Sequence, residues 1–215
     1  MESPFCTSDD PDFRLIETFG FAPGQGVARL DLHLARLTRS AEAFGIPFRR
    51  AEALAMVEDL AATTPLRCRM TLAADGFLAL TTAEMPAAAN LWRVGVAQER
   101  LASDEPLLRH KTTRREIYDR ARARLPAGID EVIFFNEREE ICEGTITNLV
   151  LTREDGTRLT PPVSSGCLPG VYRQSLLDAG SVKEAVLTMA DLQRAAALHL
   201  TNALRGEIPA TLSET

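Results

Sequence analysis

Lysine is nearly absent from this chain: Lys111 and Lys183 stand against twenty-two arginines. Arginine can replace lysine as a surface charge, a phosphate clamp or an ion-pair partner. It cannot replace it as a nucleophilic amine, because the guanidinium stays protonated and its lone pairs are delocalised. Amine chemistry is thereby excluded from every cationic position but two. Surplus basic charge is missing as well. The formal net charge of −6 and a pI of about 5.2 argue against an electrostatic footprint for nucleic acid. Paired metal ligands are lacking: Cys6, Cys68, Cys142 and Cys167 lie far apart with no Cys-x-x-Cys, and His33, His110 and His199 are equally scattered. No metal site is expected, and the thiols read as reduced. No apolar run approaches the roughly 20 residues of a membrane helix. The opening Met-Glu-Ser-Pro-Phe-Cys is acidic where a secretory signal is basic. What survives these exclusions is a cytoplasmic globular protein with a small-molecule ligand.

What is present suffices for a core, since 45% of the residues are apolar and 25% charged. FRLIETFG (13–20) and GVARL (26–30) read as strands about a turn at Pro23-Gly24. Leu30, Leu34, Leu37, Ala41 and Phe44 then recur at 4-3-4-3 spacing, one face of a helix, with Asp31 as N-cap and Gly45 and Pro47 as the stop. A second helix is expected over 50–62, with Leu54, Val57 and Leu60 or Ala61 inward. Leu66, Cys68, Met70 and Leu72 alternate with polar residues, and Asp75-Gly76 turns that strand into FLALTT. After the connection MPAAAN, Trp92, Val94 and Val96 alternate again. Thr113 and Glu116 have capping-box spacing for a helix over 113–125. EVIFF (131–135) has the continuous apolar character of a central strand, and ICEGTITNLVLT (141–152) returns. VYRQSLLDAG, residues 189–196 and residues 182–187 and 197–201 complete the pattern as two helices and two strands. The expected fold class is α+β in two domains, 1–88 and 89–215, with Lys111 in the second.

The two lysines have unlike surroundings. Lys183 lies in VKEAVL, a mixed strand edge that suits a solvated residue. Lys111 lies in RHKTTRREIYDRA, before the expected helix and among Arg109, Arg114 and Arg115. Helix N-terminal amides and neighbouring cations both disfavour an ammonium, which activates an amine. A surface role is the alternative. Glu143 stands in an otherwise apolar strand pair, either at a strand edge beside Gly144 or facing a buried cationic nitrogen. Three segments have the makings of anion sites. They are the His33, Arg36, Ser40 face of the first helix, the amides after LPG at Val171 and Tyr172, and the loop in LTNALRGEIP. An amine, an acid and separated anion binders are what a phosphorylated pyridine aldehyde requires.

The segments HLARLTRSAEAFGIP, RHKTT, CEGTITN, LPGVYR and TNALRGEIP, in that order from about residue 13 to 210, resemble the class IV aminotransferase family. These are the fold type IV pyridoxal-phosphate enzymes. The resemblance implies a two-domain fold like that of D-amino-acid aminotransferase, usually a homodimer, with pyridoxal 5'-phosphate between a small N-terminal and a larger C-terminal domain. By it Lys111 would hold the cofactor and shuttle protons. Glu143, in the Glu-Gly-x-x-x-Asn motif that includes Thr147 and Asn148, would pair with the pyridine nitrogen. Arg36 would bind the phosphate with the amides of Val171, Tyr172, Asn202 and Ala203. Branched-chain members carry a Tyr five residues beyond the lysine; here that position is Glu116, and Tyr118 lies two residues further.

Lys-Thr-x-x-Arg (Lys111, Thr112, Arg115) looks closer to 4-amino-4-deoxychorismate lyases, which make 4-aminobenzoate and pyruvate for folate synthesis, than to branched-chain or D-amino-acid transaminases. Arg67, Arg69, Arg109 and Arg205 are candidates for substrate carboxylates. Amino-acid transamination, of branched-chain or D-amino-acid type, and cofactor binding without turnover are the alternatives.

Overall fold

The computed structural model describes residues 10–88 and 90–213. Cys6, the acidic amino terminus and Ala89, beside the expected domain boundary, fall outside the described residues. The chain divides into two compact units, the first reaching Ala87 and including His110–Arg114, the second formed by Ala88–Arg109 and the chain from Arg115 onward.

In the first unit, β1 (Arg14–Ala22), β2 (Gly26–Val27), β3 (Leu66–Ala73) and β4 (Leu78–Glu84) form an antiparallel sheet in the order β2-β1-β3-β4. Alternation drives it: Leu15, Phe19, Cys68, Met70 and Leu72 are buried, while Arg67, Arg69 and Thr71 between them are half-exposed. Helix α1 (Leu30–Phe44) buries Leu34, Leu37, Ala41 and Phe44, the stripe its spacing announces, and Gly45 ends it at φ 66°. Its N-cap is Arg29, in the left-handed region, rather than Asp31. The Asp31 carboxylate instead accepts from Arg50 at 2.7 Å, on the first turn of α2 (Arg50–Glu58). That helix stops before residue 62 and buries Ala53 and Val57. Pro65 disfavours a helical conformation at the residue before it and stands directly ahead of β3.

Lys111 belongs with this unit, which corrects its placement in the second domain. Because β2 pairs only with Phe21 and Ala22, the other end of β1 has an open edge. The segment around Lys111 fills it. Ile16 N–H donates to the Lys111 carbonyl at 2.8 Å, Thr113 N–H donates to the Arg14 carbonyl at 2.9 Å, and Leu15 and Thr112 form a bridge. Thr113 is consequently no helix cap. Its hydroxyl accepts from Arg14 N–H at 2.9 Å and donates to the Asp12 carbonyl at 3.2 Å. The helix α3 (Glu116–Ala123) begins later, with Arg115 as N-cap.

The second unit is built on an eight-stranded mixed sheet. Its strands are β5 (Trp92–Leu101), β6 (Glu131–Asn136), β7 (Ile141–Gly144), β8 (Asn148–Thr152), β9 (Arg158–Thr160), β10 (Lys183–Glu184), β11 (Ala197–Asn202) and β12 (Gly206–Leu212). Their order is β10-β9-β8-β11-β12-β5-β6-β7, and α4 (Val171–Asp178) and α5 (Met189–Arg194) complete the unit. Strand β6 is one place from the edge, yet every residue in it is buried. Ile133 and Phe135 join one core with Trp92, Leu149 and Leu200, while Val132 and Phe134 join another with Cys142 and Ala121 of α3. Burial on both faces explains the unbroken apolar run. The expected return strand is split into β7 and β8 by a turn at 145–147, and β12 adds a strand to the expected set, its alternation obscured by Pro209.

Candidate active site

Glu143 is the last residue but one of β7, with 6% of its surface exposed. Tyr118 on α3 donates its hydroxyl proton to Oε1 at 2.7 Å. Leu168 N–H and Asn148 Nδ2 donate to Oε2 at 3.0 and 3.3 Å. A buried carboxylate costs several kcal/mol unless its oxygens are met, and here both are. Glu116, at the position where branched-chain members have Tyr, is exposed. Tyr118 directs its hydroxyl to Glu143. Asn148 does double duty, since the same Nδ2 donates to the Leu168 carbonyl at 2.9 Å and so joins the end of the 145–147 turn to the Leu168-Pro169-Gly170 loop.

The turn between β7 and β8 is organised by Glu131, a fully buried carboxylate hidden in the run EVIFF. Its Oε1 accepts from the Thr145 N–H at 3.0 Å and the Thr145 hydroxyl at 2.6 Å; its Oε2 accepts from the Ile146 N–H and the Thr147 hydroxyl, both at 3.2 Å. Gly144 allows this approach, because a β-carbon there would lie 3.0 Å from Glu131 Cγ and Cδ. The Thr147 hydroxyl proton is thus engaged within the turn. From α3, Arg115 donates to the Thr145 carbonyl at 2.8 Å and Arg122 to the Thr145 hydroxyl at 3.1 Å. Helix, turn and Glu143 form one connected set.

Gly170 caps α4 without a side-chain acceptor for the first-turn amides, so Val171 and Tyr172 open a helix with its partial positive charge uncapped by a side chain. Arg173, 2% exposed, fixes that helix by donating to the Pro161 carbonyl at 2.7 Å and to Glu184. Asn202 and Ala203 lie where β11 turns into β12. There Asn202 Oδ1 accepts from the Leu204 and Arg205 N–H groups at 3.1 and 2.8 Å, and the Arg205 guanidinium stacks 5.5 Å from the Trp92 ring centre. All these residues lie in the second unit. A cleft of about 730 Å³ in that unit, lined by Leu151, Arg153, Leu187 and Asp191 among others, includes none of them. The only other lysine, Lys183, is exposed on β10.

Lys111 and Arg36 lie in the first unit. Lys111 is half-buried and held from both sides. The preceding His110 accepts or donates at Ser40 Oγ (2.9 Å) and sets its ring edge-on to Phe44, while Thr112 and Thr113 are tied to β1. The helix face bearing His33, Arg36 and Ser40 is buried rather than solvated. Its organiser is Glu17, which accepts from Arg36 Nε at 2.8 Å, Arg36 Nη2 at 2.7 Å and His33 Nδ1 at 2.6 Å. No local pattern points to this partner, sixteen residues before His33 on another element. Burial alone would raise the Glu17 carboxyl; the Arg36 charge and the hydrogen bonds from His33 and Arg36 outweigh it and hold it at about 2. Arg109 is exposed. Among the described residues no cluster of His, Cys, Asp and Glu is placed to hold a metal, and no helix is long and apolar enough to cross a membrane.

The family model described as amino-transferase class IV matches residues 14–212. A solved structure from Mesorhizobium loti, assigned as an amino-acid aminotransferase, is 44% identical, covers 94% of this chain and 100% of that one, and superposes with a TM-score of 0.87. A structure from Legionella pneumophila subsp. pneumophila strain Philadelphia 1, assigned as a 4-amino-4-deoxychorismate lyase, shares the fold at 23% identity. It has a TM-score of 0.86 over 96% of this chain and 84% of that one. The aminodeoxychorismate lyase of Saccharomyces cerevisiae is 30% identical over 139 residues, which is 56% of this chain but only 37% of the yeast protein.

Proposed function

Because the chain belongs to the class IV aminotransferase family, we propose that it binds pyridoxal 5'-phosphate and acts as a 4-amino-4-deoxychorismate lyase. The products would be 4-aminobenzoate and pyruvate, for folate synthesis. The observation that carries the cofactor reading is Glu143, a buried carboxylate that accepts from Tyr118, Asn148 and Leu168 and is suited to a cationic ring nitrogen. The amides of Val171 and Tyr172, those of Asn202 and Ala203, and Arg36 would hold the phosphate. When bound, the cofactor supplies an aldehyde that captures amines and a ring that takes up electron density. Lys111 Nζ would bind the aldehyde carbon and, once displaced by the substrate amine, take the proton from the substrate carbon bearing the nitrogen. Glu131 and Asn148 would hold the Glu143 turn still while charge moves. The likeness to the yeast lyase supports this branch. The reading extends to a cytoplasmic homodimer, the usual assembly of the family; light scattering checks the mass.

A second reading, amino-acid transamination, is favoured by the 44% identity to the Mesorhizobium loti protein, whose whole chain is matched. One experiment separates the two. Purified protein given aminodeoxychorismate should release 4-aminobenzoate and pyruvate in equal amounts, with no ketoacid formed from an added amino acid. Conversion of the cofactor to its amine form by an amino-acid donor, without 4-aminobenzoate release, would establish the transaminase instead. A visible absorbance that no amine perturbs would mark a binding protein. Lys111→Ala should abolish the visible band of the bound cofactor, whereas Lys183→Ala should retain it.

A further inference from the structure

Tyr118 is one residue of α3 that the sequence resemblance leaves without a role. Its hydroxyl is nonetheless aimed with care. The ring meets Phe134 edge-on at 5.3 Å between centres, the Arg115 guanidinium lies 5.6 Å over its face, and its oxygen is 2.7 Å from Glu143 Oε1. Arg115 is itself anchored on the Thr145 carbonyl, so the phenol is clamped to the same turn whose carboxylate it meets. Burial, and then the negative charge of Glu143, push the phenol well above its ordinary value. Tyr118 therefore keeps its proton at neutral pH and acts toward Glu143 as a donor. Leu168 N–H and Asn148 Nδ2 meet the second oxygen, Oε2. Oε1 is thus held from α3 and Oε2 from the loop before α4.

A carboxylate facing a ring nitrogen competes with it for one proton. Each hydrogen bond donated to the carboxylate favours its anionic form and leaves the proton on the nitrogen. We infer that Tyr118 is a positioning residue for the cofactor ring: by donating to Glu143 Oε1 it keeps that carboxylate ionised, and thereby keeps the ring nitrogen protonated. The inference rests on the reading of Glu143 as the ring-nitrogen partner.

The test uses the holo-protein loaded with pyridoxal 5'-phosphate labelled with nitrogen-15 in the ring, and reads the ring-nitrogen resonance at fixed pH. Tyr118→Phe keeps the packed ring and removes the donor. Its resonance should move from the protonated toward the neutral position, with cofactor affinity lowered roughly two- to ten-fold, the net effect of one ordinary hydrogen bond. A 3-fluorotyrosine placed at 118, which keeps a donor on the same ring, should hold the resonance at the protonated position, so that loss of the donor and not a changed side chain accounts for the shift in Tyr118→Phe. Glu143→Gln should move it further than Tyr118→Phe. If Glu143→Gln moves the resonance and Tyr118→Phe leaves it fixed, the role of Tyr118 is overturned while the Glu143 reading stands. If Glu143→Gln also leaves it fixed, Glu143 does not face the ring nitrogen and both fall.

Discussion

A β-carbon on Gly170 would overlap Asn148 Oδ1, so the glycine exists to let the asparagine in. Its backbone, φ −63° and ψ 141°, is one any residue adopts, and only the contact forbids a side chain. Gly170→Ala should lower stability by about 1–3 kcal/mol, the usual effect of overpacking. It should also weaken cofactor binding by displacing Asn148 from Glu143 and the Leu168 carbonyl. Gly180→Ala is the contrast: φ is 65° and nothing lies within 4 Å. It should cost about 1 kcal/mol of backbone strain and leave binding intact. Thermal unfolding with cofactor titration reads both; equal loss of binding in the two variants would refute the contact argument.

Glu131→Gln should be among the most damaging conservative changes in the second unit. It replaces an oxygen that accepts from Thr145 by an amide, inside a site without solvent. The expected loss is about 3 kcal/mol, as for breaking a buried charged network. A urea midpoint within experimental error of the wild type would show that the turn is held otherwise.

Acid should attack the first unit through Glu17. Its carboxyl is held at about 2 against an ordinary 4.5, so the stabilisation is complete above roughly pH 5 and is lost as the pH falls toward 2. The amount is on the order of 3 kcal/mol. Glu17→Gln should lower stability at pH 7 and flatten the acid limb of the stability curve between pH 5 and 2. An unchanged acid limb in the variant would assign it to other carboxylates.

Three thiols should be silent. Cys68, Cys142 and Cys167 are buried, and burial raises all three, Cys167 to about 12. Because the thiolate is the reacting form, a Cys6→Ser variant should show no rapid labelling by Ellman's reagent at pH 8 until denaturant is added.

Legibility in the sequence followed distance along the chain. The stripe of α1, the β3–β4 hairpin and α4 are local patterns, and residues three or four apart announce them. The errors arose where a distant partner decides. Thr113 has the spacing of a helix cap, but the open edge of β1, a hundred residues earlier, claims its hydroxyl. Helical spacing places His33 and Arg36 on one face, but their partner Glu17 lies on a strand and carries no local signal. Glu131 is invisible inside EVIFF, because its donors arrive from residues 145–147. Among the candidate site residues, Glu143 and the start of α4 could be located from the motifs themselves. The supporting set of Tyr118, Glu131 and Arg173 could not, since each acts across elements.

The segment His110–Arg114 also limits how this chain can be cut and recombined. It is borrowed by the first unit from the middle of a stretch that otherwise builds the second. A fragment ending at Ala87 would keep Glu17, Arg36 and Ser40 but lose the lysine, while one beginning at Ala88 would carry Lys111 without the strand edge that seats it. Neither half is a module. Any ancestral or engineered exchange of the amino-terminal unit must bring five residues from beyond its own boundary, or re-create in the new partner the edge at Arg14, Leu15 and Ile16 on which the amine is mounted.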